Sequence, residues 1–211
     1  MSQVAGPYGL RVVKMLGDTP FSGGTHDYPV TATNVTAFYF GDPIGLVAGQ
    51  PTALTATPVP PATYLAAPTA NNPIGVFMGC RYQDPKFGFV NSQYLPAGAI
   101  GLGYKDIYVR IADSPTLVMQ IQANGVVTVD KIGMNAAIVG PFGGGVPAIG
   151  NSVVALQASS VGATAAALRI YDFVRTAAPA PGMSSQPGDP FTDVLVVWCP
   201  GVHRFLIGTG L

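Results

Sequence analysis

The sequence predicts an all-β protein, and three observations carry that expectation. The ten acidic residues are all aspartate, with no glutamate anywhere in the chain. Glycine (27) and proline (20) are heavily represented among the 211 residues, and in a helix interior glycine costs about 1 kcal/mol and proline about 3. The polar helix formers that clothe an exposed helix are scarce, lysine occurring only at Lys14, Lys86, Lys105 and Lys131, whereas Val, Thr, Ile, Tyr and Phe suit a pleated surface. The form expected is one or two small β-barrel or sandwich domains, jelly-roll-like or tulip-like, with an extended N-terminal arm.

In chain order, residues 1–29 read as that arm. Gly6-Pro7-Tyr8-Gly9 favours a turn, Leu10–Leu16 can form one short strand, and Gly17–Thr25 has loop chemistry. The segment has little to bury alone, so it is expected to lie on another surface or stay loose. Removing residues 1–24 is then expected to leave a folded domain. A β-barrel-like domain is expected over residues 30–114. Its strands are read at Tyr28–Thr33, Thr36–Phe40, Ile44–Ala48, Thr52–Thr57, Ile74–Tyr82, Phe89–Tyr94 and Lys105–Asp113. Gly41-Asp-Pro43 and Asp84-Pro-Lys-Phe-Gly88 are turns in which Asp enters and Pro presets φ. Residues 58–73 form a proline-rich excursion. Lys105–Asp113 alternates, with Ile107, Val109 and Ile111 on one face and Asp106, Tyr108 and Arg110 on the other.

Asp113-Ser-Pro115 turns the chain, and the boundary to a second unit is placed at residues 113–116. Residues 115–211 form a second β domain or complete the same barrel. Thr116–Gln122 alternates, and Asn124-Gly125 is the strongest hairpin signal, with Val126–Val129 as the returning strand. Lys131–Val139, Ser152–Gln157, Ala166–Arg175, Thr192–Cys199 and His203–Ile207 complete the strands. Gly140–Gly145 and Ala177–Pro190 are loops.

Charged residues are 9% of the chain and the formal net charge is zero, against about 25% charged in an ordinary soluble domain. So few charges suit a surface covered by partners or by copies of itself. Zero net charge without a basic cluster argues against nucleic acid. No apolar run approaches the ~20 residues of a membrane helix, and the N-terminus lacks a signal-peptide pattern, so synthesis in a cytoplasm is expected. Cys80 and Cys199 read as buried thiols, with a disulfide between them as the alternative that no secreted context supports.

Candidate chemistry is thin. His26 and His203 are the two histidines. His26 beside Asp27 could bind a ligand, although an interface histidine is the plainer reading, and no HxH, CxxC or HExxH spacing favours a metal. Asp189 and Asp193 flank a Pro-Phe loop and do not form a glycosidase pair. Cys199 with His203 could assemble a nucleophile and base, but a thiol in an apolar strand is unreactive. Gly140–Gly145 lacks the lysine and following helix of a phosphate loop, and Asp42 and Asp84 are turn formers. No catalytic, cofactor or metal residue is therefore assigned, and no enzymatic activity is expected.

The order of weak signatures resembles the head decoration or cement (capsid-stabilising) proteins of tailed bacteriophages. It runs through Gly9-Leu-Arg-Val-Val, Gly23-Gly-Thr, Phe40-Gly-Asp-Pro43, the Ile74–Asp84 segment and Tyr94-Leu-Pro-Ala-Gly98. It continues through Met119–Gly125, Leu168-Arg-Ile170, Val194-Leu-Val-Val, His203-Arg-Phe and Gly208-Thr-Gly210. The resemblance implies a virion protein on the outer surface of an icosahedral head, locking capsomers against genome pressure. Its partners would be the major capsid protein and itself, as a homotrimer or a dimer, with neither nucleic acid nor membrane. Tyr8, Leu10, Arg11, Val13, Lys14 and Phe21 of the arm are the expected capsid-contacting residues. Another virion part (fibre or tail), or a carbohydrate-binding β-sandwich presenting Tyr8, Tyr64, Tyr82 and Tyr94, is the alternative.

Overall fold

The computed structural model describes residues 5–31, 36–58, 71–164, 166–174 and 186–206. The strands among them are β1 (Arg11–Met15), β2 (His26–Pro29), β3 (Phe38–Tyr39), β4 (Pro43–Val47), β5 (Gln50–Ala53) and β6 (Gly75–Asp84). They continue as β7 (Gly88–Ser92), β8 (Tyr94–Leu95), β9 (Lys105–Ala112), β10 (Leu117–Gln122), β11 (Asn135–Ala136) and β12 (Ile138–Val139). The last are β13 (Gly145–Val146), β14 (Asn151–Ser152), β15 (Ala155–Leu156), β16 (Leu168–Phe173) and β17 (Asp193–Trp198). Helical structure among the described residues is confined to three 3₁₀ turns, Val129–Lys131, Ala158–Ser160 and Arg204–Leu206. The protein is all-β.

Two larger antiparallel sheets carry the fold. The first has the order β1-β10-β17-β16-β11, and the second β2-β9-β6-β4-β5, with β7 added against the far half of β6. Each has its own apolar core. Leu117, Met119, Ile121, Leu156, Ile170, Val194 and Val196 pack under the first. Phe38, Ile44, Ile74, Phe77, Val109 and Ile111 fill the second. Period-two patterning explains the inward faces: Ile107, Val109 and Ile111 of β9 are buried, and so are Val194, Val196 and Trp198 of β17. The chain crosses between the sheets at Asp113–Thr116, between β9 and β10.

The expected barrel is not closed. The second sheet curls until Thr31 N–H donates to Gln50 Oε1 (2.7 Å), but no ladder joins β2 to β5 among the described residues. Each of these edge strands carries a proline, Pro29 or Pro51, and proline has no N–H to give a ladder.

The N-terminal segment is not an arm. Strand β1 pairs with β10 along Arg11↔Gln120 to Met15↔Leu117, and β2 pairs with β9 along His26↔Ile111 to Pro29↔Tyr108. Leu10 is 0% exposed. The physical reason is the free edge of β10, which an apolar strand fills while burying a leucine. Further stitches hold the two halves together. Gly9 N–H donates to Val154 O (3.2 Å), Leu10 N–H to Gly41 O (2.9 Å) and Phe40 N–H to Gly150 O (2.8 Å).

The central stitch is Asp42, fully buried beside β4. It accepts from Ser152 Oγ (2.5 Å) and from Tyr39 N–H (3.0 Å). Burial pushes its carboxyl up to about 7, against these donors and the Gly143 amide. Gly145 is required nearby, because a β-carbon there would sit 2.4 Å from the Tyr39 ring.

Asn124-Gly125 does not make a hairpin. Both edges of β10 are already taken, by β1 and β17, so a returning strand has no place to pair. Instead Asn124 N–H donates to Leu156 O (2.9 Å) and its Oδ1 accepts from Ala158 N–H (2.9 Å). Val126–Lys131 then leaves the sheet and ends in a 3₁₀ turn. The long strand expected at Lys131–Val139 is reduced to β11 and β12, and His203–Leu206 is a turn. Most of the proline-rich excursion and of the Ala177–Pro190 loop, and the end of the chain, lie outside the described residues.

Candidate protein-binding face

The outward face of the second sheet gathers the polar and aromatic side chains that its inward alternation excludes from the core. Register places Asp27 of β2 opposite Arg110 of β9, and Tyr108 opposite Arg81 of β6. It places Arg81 opposite Asn91 of β7, and Gln83 opposite Phe89. Residues directly opposed in an antiparallel pair share a face, so these seven strand positions make one continuous patch.

The patch is internally braced. Arg81 Nη2 lies 3.1 Å from Asp27 Oδ2, and its guanidinium stacks over the Tyr108 ring at 4.7 Å. Arg110 Nη2 donates to Asn91 Oδ1 (2.7 Å), and its Nε lies 4.0 Å from Asp27 Oδ1. Two guanidinium groups share one carboxylate, so the patch is net positive. Half-exposed ion pairs of this kind contribute little to stability, about 0–1 kcal/mol; here they hold the two arginines in fixed poses.

The β6–β7 hairpin projects beyond it. Asp84 Oδ1 accepts from the N–H groups of Lys86 (2.7 Å) and Phe87 (3.0 Å), fixing the turn. Gly88 closes it at φ +77°, a conformation that favours glycine. Phe87 and Phe89 are each 74% exposed. The neighbouring turn brings Gly103 toward Pro85 of this hairpin and presents Leu102 to solvent. A shallow groove of about 370 Å³ runs between, lined by Gln83, Asp84, Pro85, Gly88, Gly103 and Lys105.

The arm residues fare differently from expectation. Tyr8 O–H donates to Asp193 Oδ1 (2.8 Å) under the Arg11 guanidinium; burial, then the Asp193 charge, keeps its phenol protonated. Leu10 is core. Lys14 pairs with Asp18 and lies over Tyr171. Phe21 packs against the first core. Arg11 and Val13 are exposed, Tyr8, Lys14 and Phe21 are half-buried, and Leu10 alone of the six is sealed from any partner.

His26 does not pair with Asp27. Its Nδ1 lies 2.8 Å from both oxygens of Asp113, which also accepts from Tyr28 O–H (2.7 Å). An open groove of about 350 Å³ adjoins, lined by Met15, Pro20, Phe21 and Ser114 among others. His203 is fully buried, and burial drops its imidazole to about 4. Cys80 and Cys199 are free and lie in different cores, and burial pushes their thiols up to about 12 and about 11. Cys199 Sγ donates to Asn135 Oδ1 (3.4 Å). Asp193 holds Tyr8, and Asp189 accepts from Gln186 N–H (3.1 Å). Among the described residues, no group of three His, Cys, Asp or Glu side chains could hold a metal, and no helix is long and apolar enough to cross a membrane.

Sequence reasoning placed Tyr108 and Arg110 outward through the alternation of β9. It did not find Arg81, Asn91, Asp27, Phe87 or Phe89, because their meeting depends on register between distant strands. The exposed Phe-Gly-Phe at a turn was the available signal. Fold and face together define an all-β protein with a braced, arginine- and aromatic-rich sheet surface. No family model, curated protein or solved structure matches the chain.

Proposed function

We propose that this chain is a virion structural protein of the cement type. It binds the outer surface of an icosahedral phage head, and it does so through the outward face of the second sheet and the Phe87–Phe89 tip. The observation that carries the reading is that tip: two phenylalanines, each three-quarters exposed, on a hairpin held rigid by Asp84. Exposed aromatics beside ordered arginines are the residue types that dominate protein interfaces. The edge prolines Pro29 and Pro51 favour docking by a face over strand addition.

Magnitudes favour a repetitive target. Burying one phenylalanine gives about 1.5–3 kcal/mol, so the tip supplies about 3–6. Association alone costs roughly 4–15 kcal/mol. A single copy therefore binds one capsid subunit weakly, while several linked copies on a lattice gain by avidity. The proposed partners are the major capsid protein and further copies of this chain, as a trimer or a dimer. The carbohydrate reading has less to stand on: Tyr8 is tied to Asp193, Tyr82 is buried and stacked on Tyr104 at 4.5 Å, and Tyr64 lies outside the described residues.

The test is co-sedimentation with phage heads of the virus that carries this chain, assembled without it. Phe87→Ser with Phe89→Ser, shown folded by circular dichroism, is expected to lower occupancy at least tenfold. Unchanged occupancy would refute the role of the tip.

A further inference from the structure

We propose that the turn of residues 199–206 is an acid-sensitive clasp across the seam of the two sheets, held shut by neutral His203 and opened when that imidazole takes up a proton. This does not depend on the proposed function.

The turn leaves the first sheet and fastens onto the second. Cys199 N–H donates to Ala167 O (2.9 Å) on the first side. Beyond it, Arg204 N–H donates to Pro73 O (2.9 Å), Arg204 Nη1 to Leu46 O (2.8 Å), and Asn72 Nδ2 to Val202 O (3.2 Å). These bonds reach the segments before β6 and at β4, both in the second sheet.

His203 sits at the middle of this clasp. Its ring lies between those of Trp198 (6.2 Å between centroids) and Phe205 (5.6 Å). Its Nδ1 accepts from Phe205 N–H (3.3 Å), so the neutral ring keeps its proton on Nε2, which is buried without a full hydrogen bond. A second proton must go to Nδ1. There it would face the Phe205 N–H, donor against donor, and the side-chain contact that braces the 204–206 turn is lost, leaving Leu206 N–H to His203 O (2.9 Å) to hold it. The new charge would also be buried, which is costly without a partner.

Asp113 is the charged group facing His203 from the seam, and it favours the protonated ring, as do the backbone groups of Ile74 and Asp113. Asp113 already accepts from His26 and Tyr28, so its charge is shared and burial prevails. Arg204 on the same turn adds a cation that does not welcome another. His26 thus contacts the Asp113 carboxylate between β9 and β10 from outside, and the sealed His203 feels its charge from within.

The sign follows from the depressed value. With the folded-state imidazole at about 4 and the unfolded one near its ordinary 6.5, the closed state disfavours the proton. Stability is complete above 6.5 and is lost as pH falls toward 4. The closed-to-open ratio declines up to tenfold per pH unit in that window, about 300-fold in all.

Three readouts test the clasp on the full chain. Trp198 is the only tryptophan, so its emission reports the neighbouring ring. Hydrogen exchange reads the 199–206 amides, and the ring-proton resonances of the two histidines are titrated by NMR. Emission and exchange are expected to change together with a midpoint near pH 4–5, matching His203, in wild type and in His26→Gln. In His203→Gln that transition is expected to vanish. Persistence of the transition in His203→Gln overturns the proposal. Where that variant does not fold, the wild-type titration decides: a His203 midpoint near 6.5, or protonation without loss of amide protection over 199–206, overturns it.

Discussion

Replacing Leu10 by alanine separates a strand built into the fold from an arm draped outside it. Leu10 is fully buried in the first core, where its backbone is bonded to Gly41 O. The change removes three buried carbons, about 2.4 kcal/mol at ~0.8 kcal/mol each. A cavity term adds to this, because a buried site relaxes only partly around the missing atoms. The total expected is about 3–4 kcal/mol, inside the roughly 2–5 seen for buried leucines. For a chain of this size that lowers Tm by about 10 °C. Urea unfolding followed by Trp198 fluorescence measures it, with the midpoint shifted and the slope unchanged. Val13→Ala in the same strand, at a position 45% exposed, is expected to stay within about 0.5 kcal/mol. A Leu10→Ala loss as small as that of Val13→Ala would refute the integration of β1.

Further outcomes follow from the same structure. Deleting residues 1–24 removes β1 and Leu10 and is expected to leave a chain that does not fold cooperatively, read by the loss of a sigmoidal thermal transition. Gly75→Ala puts a β-carbon 2.1 Å from Ala112 O between β6 and β9, and a loss of about 3 kcal/mol is expected in urea unfolding. Asp42 is raised from the ordinary carboxylate range to about 7, so the fold prefers it protonated. Its penalty is absent below about pH 4 and grows as pH rises to 7. The stability difference between wild type and Asp42→Asn should therefore slope across that window and level off above it. Neither buried thiol should react with a soluble disulfide reagent in the native state, and both should react in urea, read by released thiolate absorbance.

The all-β class was legible because it rests on local chemistry: no glutamate, many glycines and prolines, and clean alternation in β9 and β10. The Asp84–Gly88 turn was legible for the same reason, since Asp84 fixes it within three residues. What escaped was set by distance along the chain. Pairing of β1 with β10 spans about a hundred residues and is invisible to local patterning, so an edge strand looked like an arm. Asn124-Gly125 has the chemistry of a hairpin but no free strand edge to return to. The candidate face was half legible: alternation pointed Tyr108 and Arg110 outward, while only the register of β2, β6 and β7 brought Asp27, Arg81 and Asn91 to them. The burial of His203 between Trp198 and Phe205 depends likewise on how the C-terminal turn crosses the seam.

The cement role is tested most directly by heating phage heads with and without this protein and measuring DNA release. Heads lacking it are expected to release DNA at a lower temperature, with wild-type protein restoring the loss and the Phe87→Ser, Phe89→Ser variant failing to do so. Equal heat resistance of heads with and without the protein would contradict the role.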